Sequence, residues 1–315
     1  MRILRCTTAL AWLALALSSQ GCALKTMAMN SVADSLARNG DTFAADDDPE
    51  LIRSAVPFSL KLVESLLVEL PRHHGLLLTA CSGFTQYGYA FVESDAEFIK
   101  DSDYRAFRRL QDRSRNMYLR ARGYCLRSLE LKYPGIGVNL AAGRPDAANR
   151  VTKADVALLY WTGAAWGKAV AISLDRPGLI SGLPAVRVLI DRALALDESF
   201  NRGALHDVMI AIESAPDAMG GSPARAREHF ERSIALAGGR SAGPYVTFAR
   251  SVLLPAQERE AFVQMLAQAL EIDVNGDPAL RLANILAQEQ ARFLLDHVDD
   301  LFLSSAESGG SGRRN

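Results

Sequence analysis

The chain has 315 residues, with 35 lysines and arginines against 36 aspartates and glutamates. Its hydrophobic fraction of 49% and charged fraction of 23% are ordinary for a globular protein and exclude a disordered chain. A net charge of −1 provides no overall field that would attract nucleic acid, so we expect no nucleic-acid partner.

Residues 1–21 have the pattern of a bacterial export signal. Two arginines precede an apolar run at residues 9–17, which is too short to remain as a membrane-spanning helix. Small residues then lead to Cys22, as in a lipobox, where the cysteine is lipidated and becomes the mature N-terminus. Ser19 stands where leucine is usual, so ordinary cleavage beside an incidental cysteine is the alternative. We expect Cys22 to carry a lipid anchor and residues 22–48 to form a flexible tether.

The rest of the sequence predicts helices and contains no convincing strand. Asp48, followed by proline and glutamate, is typical of a helix N-cap. The apolar stretch 75–92 is interrupted by a glutamine and three glycines, which favours a buried helix over a membrane span. We therefore predict an all-α domain over residues 49–303 and a disordered tail over residues 304–315.

Residues 103–132 predict one long helix, because apolar residues recur there at steps of three and four. The opposite face carries one acid, Asp112, and many arginines. These are Arg105, Arg108, Arg109, Arg113, Arg115, Arg120, Arg122 and Arg127. We interpret this basic stripe as a solvated face, with an anionic partner surface or lipid head groups as alternatives.

Cys81 and Cys125 are the thiols that remain once the signal is removed and Cys22 is lipidated. An oxidising periplasm permits a disulfide between them. Both cysteines lie in apolar, helical surroundings, and this favours two separate buried thiols over a bridge.

Three segments in the second half of the chain repeat one spacing of apolar and small residues, at intervals of 40 and 36 residues. The three sets are Val186, Ile190 and Ala193; Ala226, Phe230 and Ser233; and Phe262, Leu266 and Ala269. Steps of four and then three are typical of the inner ridge of the second helix in a tetratricopeptide-like pair. We predict a solenoid, or superhelix, of stacked helical pairs with a concave face. A long capping helix from Pro278 to about Phe302 is expected to close it.

The sequence offers little to indicate catalysis. It contains no His-Glu-x-x-His and no phosphate-binding glycine loop. A Gly-x-Ser-x-Gly spacing occurs at residues 239–243, within a glycine-rich stretch that we interpret as a turn between repeats. The polar cluster at residues 296–300 offers three aspartates and His297 as possible metal ligands, but Arg292 can neutralise Asp296. We therefore predict a protein that is not an enzyme, with no metal and no cofactor.

Aromatic side chains on helices rich in alanine and glycine predict a cavity lined by rings. The candidate lining residues are Tyr87, Tyr124, Tyr160, Trp161, Trp166, His206, Tyr245 and Phe248. Simple core packing is the alternative for each of them.

Five motifs occur in order along the domain, at residues 159–166, 203–206, 226–233, 241–246 and 284–296. Together they resemble the T-component lipoproteins of tripartite ATP-independent periplasmic (TRAP) transport systems, the TatT family. The resemblance implies a lipid-anchored, all-helical protein with tetratricopeptide-like repeats that assembles as a homotrimer. It also implies pairing with the periplasmic solute-binding protein of the transporter, and a pore or cavity for a hydrophobic or organic-acid molecule. No catalytic residues transfer from that family.

The leading hypothesis is therefore a periplasmic TRAP component, held at the membrane by its lipid, that docks the solute-binding protein and holds a ligand. The alternative is a lipoprotein scaffold for envelope protein assembly that uses the same concave face. A metal-dependent hydrolase at residues 296–300 is a third hypothesis. The sequence leaves open whether the inner or the outer membrane holds the lipid.

Overall fold

The computed structural model describes residues 27, 29–37 and 40–303. Every regular element among these residues is a helix, which confirms the prediction of an all-α protein. The export signal, Cys22 and the predicted tail lie outside the described residues. No helix in the described part of the chain is both long and apolar enough to cross a membrane.

The labelled helices follow one another in chain order. They are α1 (Pro49–Glu69), α2 (His74–Tyr87), α3 (Tyr104–Lys132), α4 (Val156–Ala171), α5 (Leu183–Asp197), α6 (Ala204–Glu213), α7 (Pro223–Leu236), α8 (Gly243–Phe248), α9 (Arg259–Leu270) and α10 (Arg281–Asp296). Shorter helices are Gly40–Ala44, Ser94–Phe98, Ile136–Ala141, Pro177–Ile180 and Val298–Leu301, and single 3-10 turns are Lys153–Asp155, Phe200–Gly203, Asp217–Met219 and Pro278–Leu280. Two π-helical segments, Gly88–Glu93 and Ala249–Leu253, extend α2 and α8.

Helix α1 begins where the sequence predicts it. The Asp48 carboxylate accepts hydrogen bonds from the backbone N–H groups of Glu50 and Leu51, each at 3.0 Å. These bonds satisfy donors that have no partner within the helix, which fixes its first turn. The stretch predicted as a buried helix is also helical, and its residues Leu76 and Leu77 are fully buried.

Each labelled helix packs against the next one along the chain, from α1 to α10. The stack then closes on itself, because α10 also contacts α1 and the short helix Gly40–Ala44. The Arg281 guanidinium donates to the backbone oxygen of Ala45 at 3.0 Å across this contact. The first and last helices of the stack are therefore neighbours.

The residues that repeat one spacing in the sequence are buried in the structure. All nine residues of the three sets are 7% exposed or less. They lie on α5, α7 and α9, each of which packs against the helix before it. Steps of four and three along a helix place these side chains on one face, and that face forms the contacts between helices.

Two elements differ from the sequence prediction. Helix α10 ends at Asp296, because the His297 ring bonds the backbone oxygen of Phe293 at 2.8 Å and the chain turns there. A single helix from Pro278 to Phe302 is therefore wrong. The segment predicted as a flexible tether is helical over residues 29–37, and its Ala33 is fully buried.

Cys81 and Cys125 form a disulfide, so the prediction of two separate thiols is wrong. The bridge joins α2 to α3, and its Cα atoms lie 5.5 Å apart. Helices α2 and α3 pack side by side, which brings together two cysteines that are 44 positions apart. Apolar surroundings bury a thiol and a disulfide equally well, so composition alone could not separate the two states.

The interpretation of the α3 arginines as a solvated face is only partly right. Arg115 is 4% exposed and pairs with Asp112. The guanidinium of Arg122 lies 4.7 Å from the ring centre of Trp166, as in a cation–π contact. Arg122 therefore holds α3 to α4, whereas the Arg115–Asp112 pair lies within α3 and Arg105 is exposed.

Candidate functional site

Side chains from distant parts of the chain meet where α10 closes the stack against the π-helical end of α2. We call this group the inner polar cluster. It consists of Tyr89, Glu93, Tyr160, Lys168, Asp207 and Arg250, and it draws on α4, α6 and both π-helical segments.

The closure itself is held by polar and aromatic contacts. The Tyr89 hydroxyl donates to the Gln290 side chain on α10 at 3.3 Å, and the Gln290 amide donates to Ser94 at 2.8 Å. The rings of Phe98 and Phe293 are centred 4.6 Å apart beside them. These contacts join residues that lie about two hundred positions apart, and they fix the position of Tyr89.

The two π-helical segments supply half of the inner polar cluster. Gly88–Glu93 carries Tyr89 and Glu93, and Ala249–Leu253 carries Arg250. A π-helical turn inserts an extra residue into a helix and changes the direction of the side chains that follow, and such turns are frequent at functional sites.

Lys168 is the one charged residue of α4, a helix that is otherwise apolar or neutral. Its ammonium group pairs with Glu93 and lies 4.4 Å from the centre of the Tyr89 ring. The hydroxyl of Tyr118 donates to the other oxygen of Glu93. Burial and this carboxylate together raise the pKa of Tyr118, so it remains a hydrogen-bond donor at neutral pH. Glu93 is thus satisfied at both oxygens.

Arg250 has a carboxylate partner as well. It pairs with Glu97, which follows the first π-helical segment. Burial disfavours the charge of Arg250, but the nearby Glu97, Tyr89 and Glu93 outweigh this effect and raise its pKa. The guanidinium is therefore a permanent charge that is already neutralised.

Asp207 is the exception in the inner polar cluster. It lies in the first turn of α6, and its Oδ1 atom is buried with no hydrogen-bond partner among the described residues. Burial raises the pKa of this carboxyl to about 6, although Thr247 and Lys168 act in the opposite direction. Burial and the charge of Asp207 also raise the pKa of Tyr160. Because Thr247 hydrogen-bonds to this carboxyl, Oδ1 is its unsatisfied oxygen, and a buried oxygen that lacks a donor costs free energy.

The cluster is enclosed by protein but remains accessible. The residue Tyr89 is 39% exposed as a whole. Protein atoms around its hydroxyl group nevertheless desolvate that group and so raise its pKa. The side chains of Lys168 and Arg250 are about a third exposed. Partly exposed charged and aromatic side chains of this kind can contact a molecule that approaches from solvent.

The structure brings one of the predicted cavity residues, Tyr160, into this cluster. Trp161 lies next to it, with ring centres 4.7 Å apart in an edge-to-face arrangement. His206 precedes Asp207 in sequence, but its ring faces away, with Nδ1 2.8 Å from Nδ1 of His229.

The other predicted lining residues are spread over the core. Tyr87 and Trp166 are less than 10% exposed, and Phe248 is fully buried. The hydroxyl of Tyr124 donates to Glu64 at 2.6 Å, and the Tyr245 ring lies 5.4 Å from that of Phe230.

Sequence reasoning did not select Lys168, Asp207 or Arg250 as site residues. The signal that could have found one of them is a lone charge within an apolar helix, as at Lys168 in α4. Isolated charges inside apolar helices are expensive to bury and are retained for a partner or a ligand.

Two of the candidate metal ligands at residues 296–300 contact other parts of the chain. Asp299 pairs with Arg259, and His297 ends α10. In the part of the chain that the structure describes, no three His, Cys, Asp or Glu side chains gather in a group that could hold a metal ion.

Comparison with known proteins identifies the family. The model of the TRAP transporter T-component family (TAtT) matches residues 45–302, which is nearly the whole described domain. The chain belongs to this family. It is also 30% identical over 302 residues to an uncharacterized protein of Treponema pallidum (strain Nichols), covering 90% of this chain and 94% of that protein. A T component is part of a transport system of the cell envelope, and the family is not an enzyme family.

Proposed function

We propose that this T component is a non-enzymatic, periplasmic part of a TRAP system. It docks the solute-binding protein of the transporter and holds a hydrophobic or organic-acid ligand within its helix stack. The observation that supports this best is the inner polar cluster, a partly exposed group of side chains from four elements in a chain of the TRAP T-component family.

The helix stack favours a docking role. Each labelled helix contacts the next one along the chain. The buried residues on α5, α7 and α9 have the spacing of tetratricopeptide-like pairs. Arrays of helical pairs present extended concave surfaces, and these commonly bind other molecules. We therefore propose a tetratricopeptide-like superhelix whose concave side receives the solute-binding protein.

A lipid on Cys22 completes the proposal. It would hold the domain at the membrane surface, where the other subunits of the transporter work. The helix at residues 29–37 follows the anchor, and its Asp34 contacts His73 at 3.3 Å, so the domain is held close to its attachment point. We propose a homotrimer on the basis of family membership.

The test is capture of the partner in the native bacterium. The full chain with a C-terminal tag is crosslinked in cells, purified and analysed by mass spectrometry, next to an unrelated lipoprotein with the same tag. We expect enrichment of a TRAP solute-binding protein only with the T component. Enrichment of outer-membrane or cell-wall assembly proteins in its place would contradict the proposal and favour the envelope scaffold.

The anchor is tested separately with a Cys22→Ala variant. We expect the wild-type chain to fractionate with membranes and to incorporate radiolabelled palmitate. The variant is expected to lose the label. Equal labelling of both chains would refute the anchor without affecting the docking proposal.

A further inference from the structure

The chain enters the folded domain beside the loop that joins α1 to α2. Asn30, in the first turn of the helix over residues 29–37, lines a shallow groove together with residues 69–73 of this loop. One turn further along the same helix, Asp34 Oδ1 lies 3.3 Å from His73 Nε2. The helix over residues 29–37 is therefore fixed against the α1–α2 loop, and we call this part of the molecule the entry end.

Helix α3 runs from the opposite end of the molecule to the entry end. The Arg127 guanidinium, late in α3, donates to the backbone oxygen of Pro71 in the α1–α2 loop. Arg108, early in α3, lies 3.4 Å from Asp175, which follows α4. An α-helix rises about 1.5 Å per residue, so these two contacts are about 28 Å apart along α3. We call the end at Asp175 the far end.

Few residues separate the entry end from the proposed lipid. Cys22 lies five positions before Met27, the first residue that the structure describes. A chain spans at most about 3.6 Å per residue, so Met27 lies within about 18 Å of a lipidated Cys22, whatever the conformation of the residues between them. This reach is shorter than the distance along α3 between the two ends. A lipid on Cys22 therefore holds the entry end next to the bilayer.

The entry end carries apolar side chains that the described part of the domain leaves exposed. Val68, in the last turn of α1, is 77% exposed, and Val32, on the helix over residues 29–37, is 54% exposed. Met27 is 75% exposed. Exposed charges of both signs, such as Asp34 and Arg72, lie among them, so this end offers apolar contact rather than a strong field of one sign. Such a surface suits the boundary between head groups and acyl chains.

We infer that the entry end is a second membrane contact, in which Met27, Val32 and Val68 enter the head-group region of the bilayer beside the lipid. This inference rests on the lipid anchor of the proposed function. A lipid alone leaves the domain free to rotate about its attachment point, whereas a second contact fixes one orientation. In that orientation the far end of α3 faces the periplasm.

The test places an environment-sensitive fluorescent label, NBD, at each end of the molecule. Val68→Cys and Val32→Cys supply a thiol at the entry end. Leu174→Cys is the matched control, because Leu174 is also apolar, is 68% exposed and precedes Asp175 at the far end. The two native cysteines of the domain form a disulfide, so the label reacts with the introduced cysteine.

Each labelled lipoprotein is purified in detergent and inserted into vesicles of phosphatidylethanolamine and phosphatidylglycerol. Half of the samples contain phospholipids with a nitroxide on the acyl chain, which quenches NBD at short range. An apolar surface in the membrane interface lies about 5–10 Å into the boundary between head groups and acyl chains. We therefore expect the nitroxide to lower the fluorescence at Val68 and Val32 at least about twofold and to leave the label at Leu174 nearly unchanged.

Two results would overturn the inference. One is the absence of quenching at Val68 and Val32, or equal quenching at Leu174. The other is an entry-end label whose emission is already shifted to the blue in detergent and is not quenched in vesicles, because a second protein chain would then cover this surface.

Flotation of the vesicles separates this inference from the proposed function. A chain that floats with the vesicles but shows no quenching refutes the second contact and leaves the anchor intact. A chain that does not float refutes both. Capture of the solute-binding protein in cells is read independently, and its failure with the wild-type chain would refute the docking role, whatever the labels show.

Discussion

The disulfide between Cys81 and Cys125 should carry a large share of the stability of the domain. It closes a loop of 44 residues, and the loss of chain entropy in the unfolded state predicts about 4 kcal/mol of stabilisation at 25 °C. Reduction should therefore lower the melting temperature by roughly 8 to 16 °C for a domain of this size.

The assay is thermal unfolding followed by circular dichroism, with and without a reducing agent. The melting temperature of the double variant Cys81→Ala/Cys125→Ala should lie slightly below that of the reduced wild-type chain, because two fully buried sulfur atoms are also lost. The reducing agent should leave the variant unchanged. A wild-type chain whose melting temperature does not respond to reduction, or whose tryptic digest lacks a peptide pair joined through these cysteines, would refute the reasoning.

Three further predictions concern one or two side chains each. Asn284 is 1% exposed, and its side chain accepts a hydrogen bond from the N–H of Ala242 and donates one to the backbone oxygen of Arg240. Asn284→Ala should therefore lower the free energy of unfolding in urea by about 2 to 3 kcal/mol. A loss under about 0.5 kcal/mol would contradict this. Burial lowers the pKa of His206 and His229, so the unfolded chain takes up their protons first as the pH falls below about 6.5. The wild-type chain should therefore lose more stability between pH 7.5 and 5.5 than His206→Gln/His229→Gln, and equal losses would contradict this. The raised pKa of Asp207, about 6 against 3.8, means that its ionised form disfavours folding, increasingly as the pH rises from about 4 to 6. Asp207→Asn should accordingly gain about 1 to 3 kcal/mol in urea unfolding at pH 7.5 and almost nothing near pH 4, and a less stable variant at pH 7.5 would contradict the cost assigned to this carboxylate.

Local patterns predicted the helices and their buried faces. The proline after Asp48 and the steps of four and three at Val186, Ile190 and Ala193 depend on residues within one or two helical turns, and the structure agrees with both. Periodicity reports which face of a helix is buried, and it does so without knowledge of the neighbouring helix.

The candidate site could not be predicted in the same way. Tyr89 and Gln290 meet only because the stack closes, and no local pattern encodes a contact between residues so far apart. The disulfide depends likewise on how α2 and α3 pack. The aromatic residues selected from the sequence are spread over the core. The cluster residue with an unsatisfied buried atom is a carboxylate, Asp207. A single charge among apolar helix residues is a weak signal until its partners are known.

The account depends most on the claim that the inner polar cluster holds a solute. An experimental structure of the chain purified from its native envelope at neutral pH tests this directly. We predict electron density for a bound molecule beside the partly exposed side chains of Tyr89, Lys168 and Arg250. An interior in which these side chains pack against one another, with no density beside them, would contradict it.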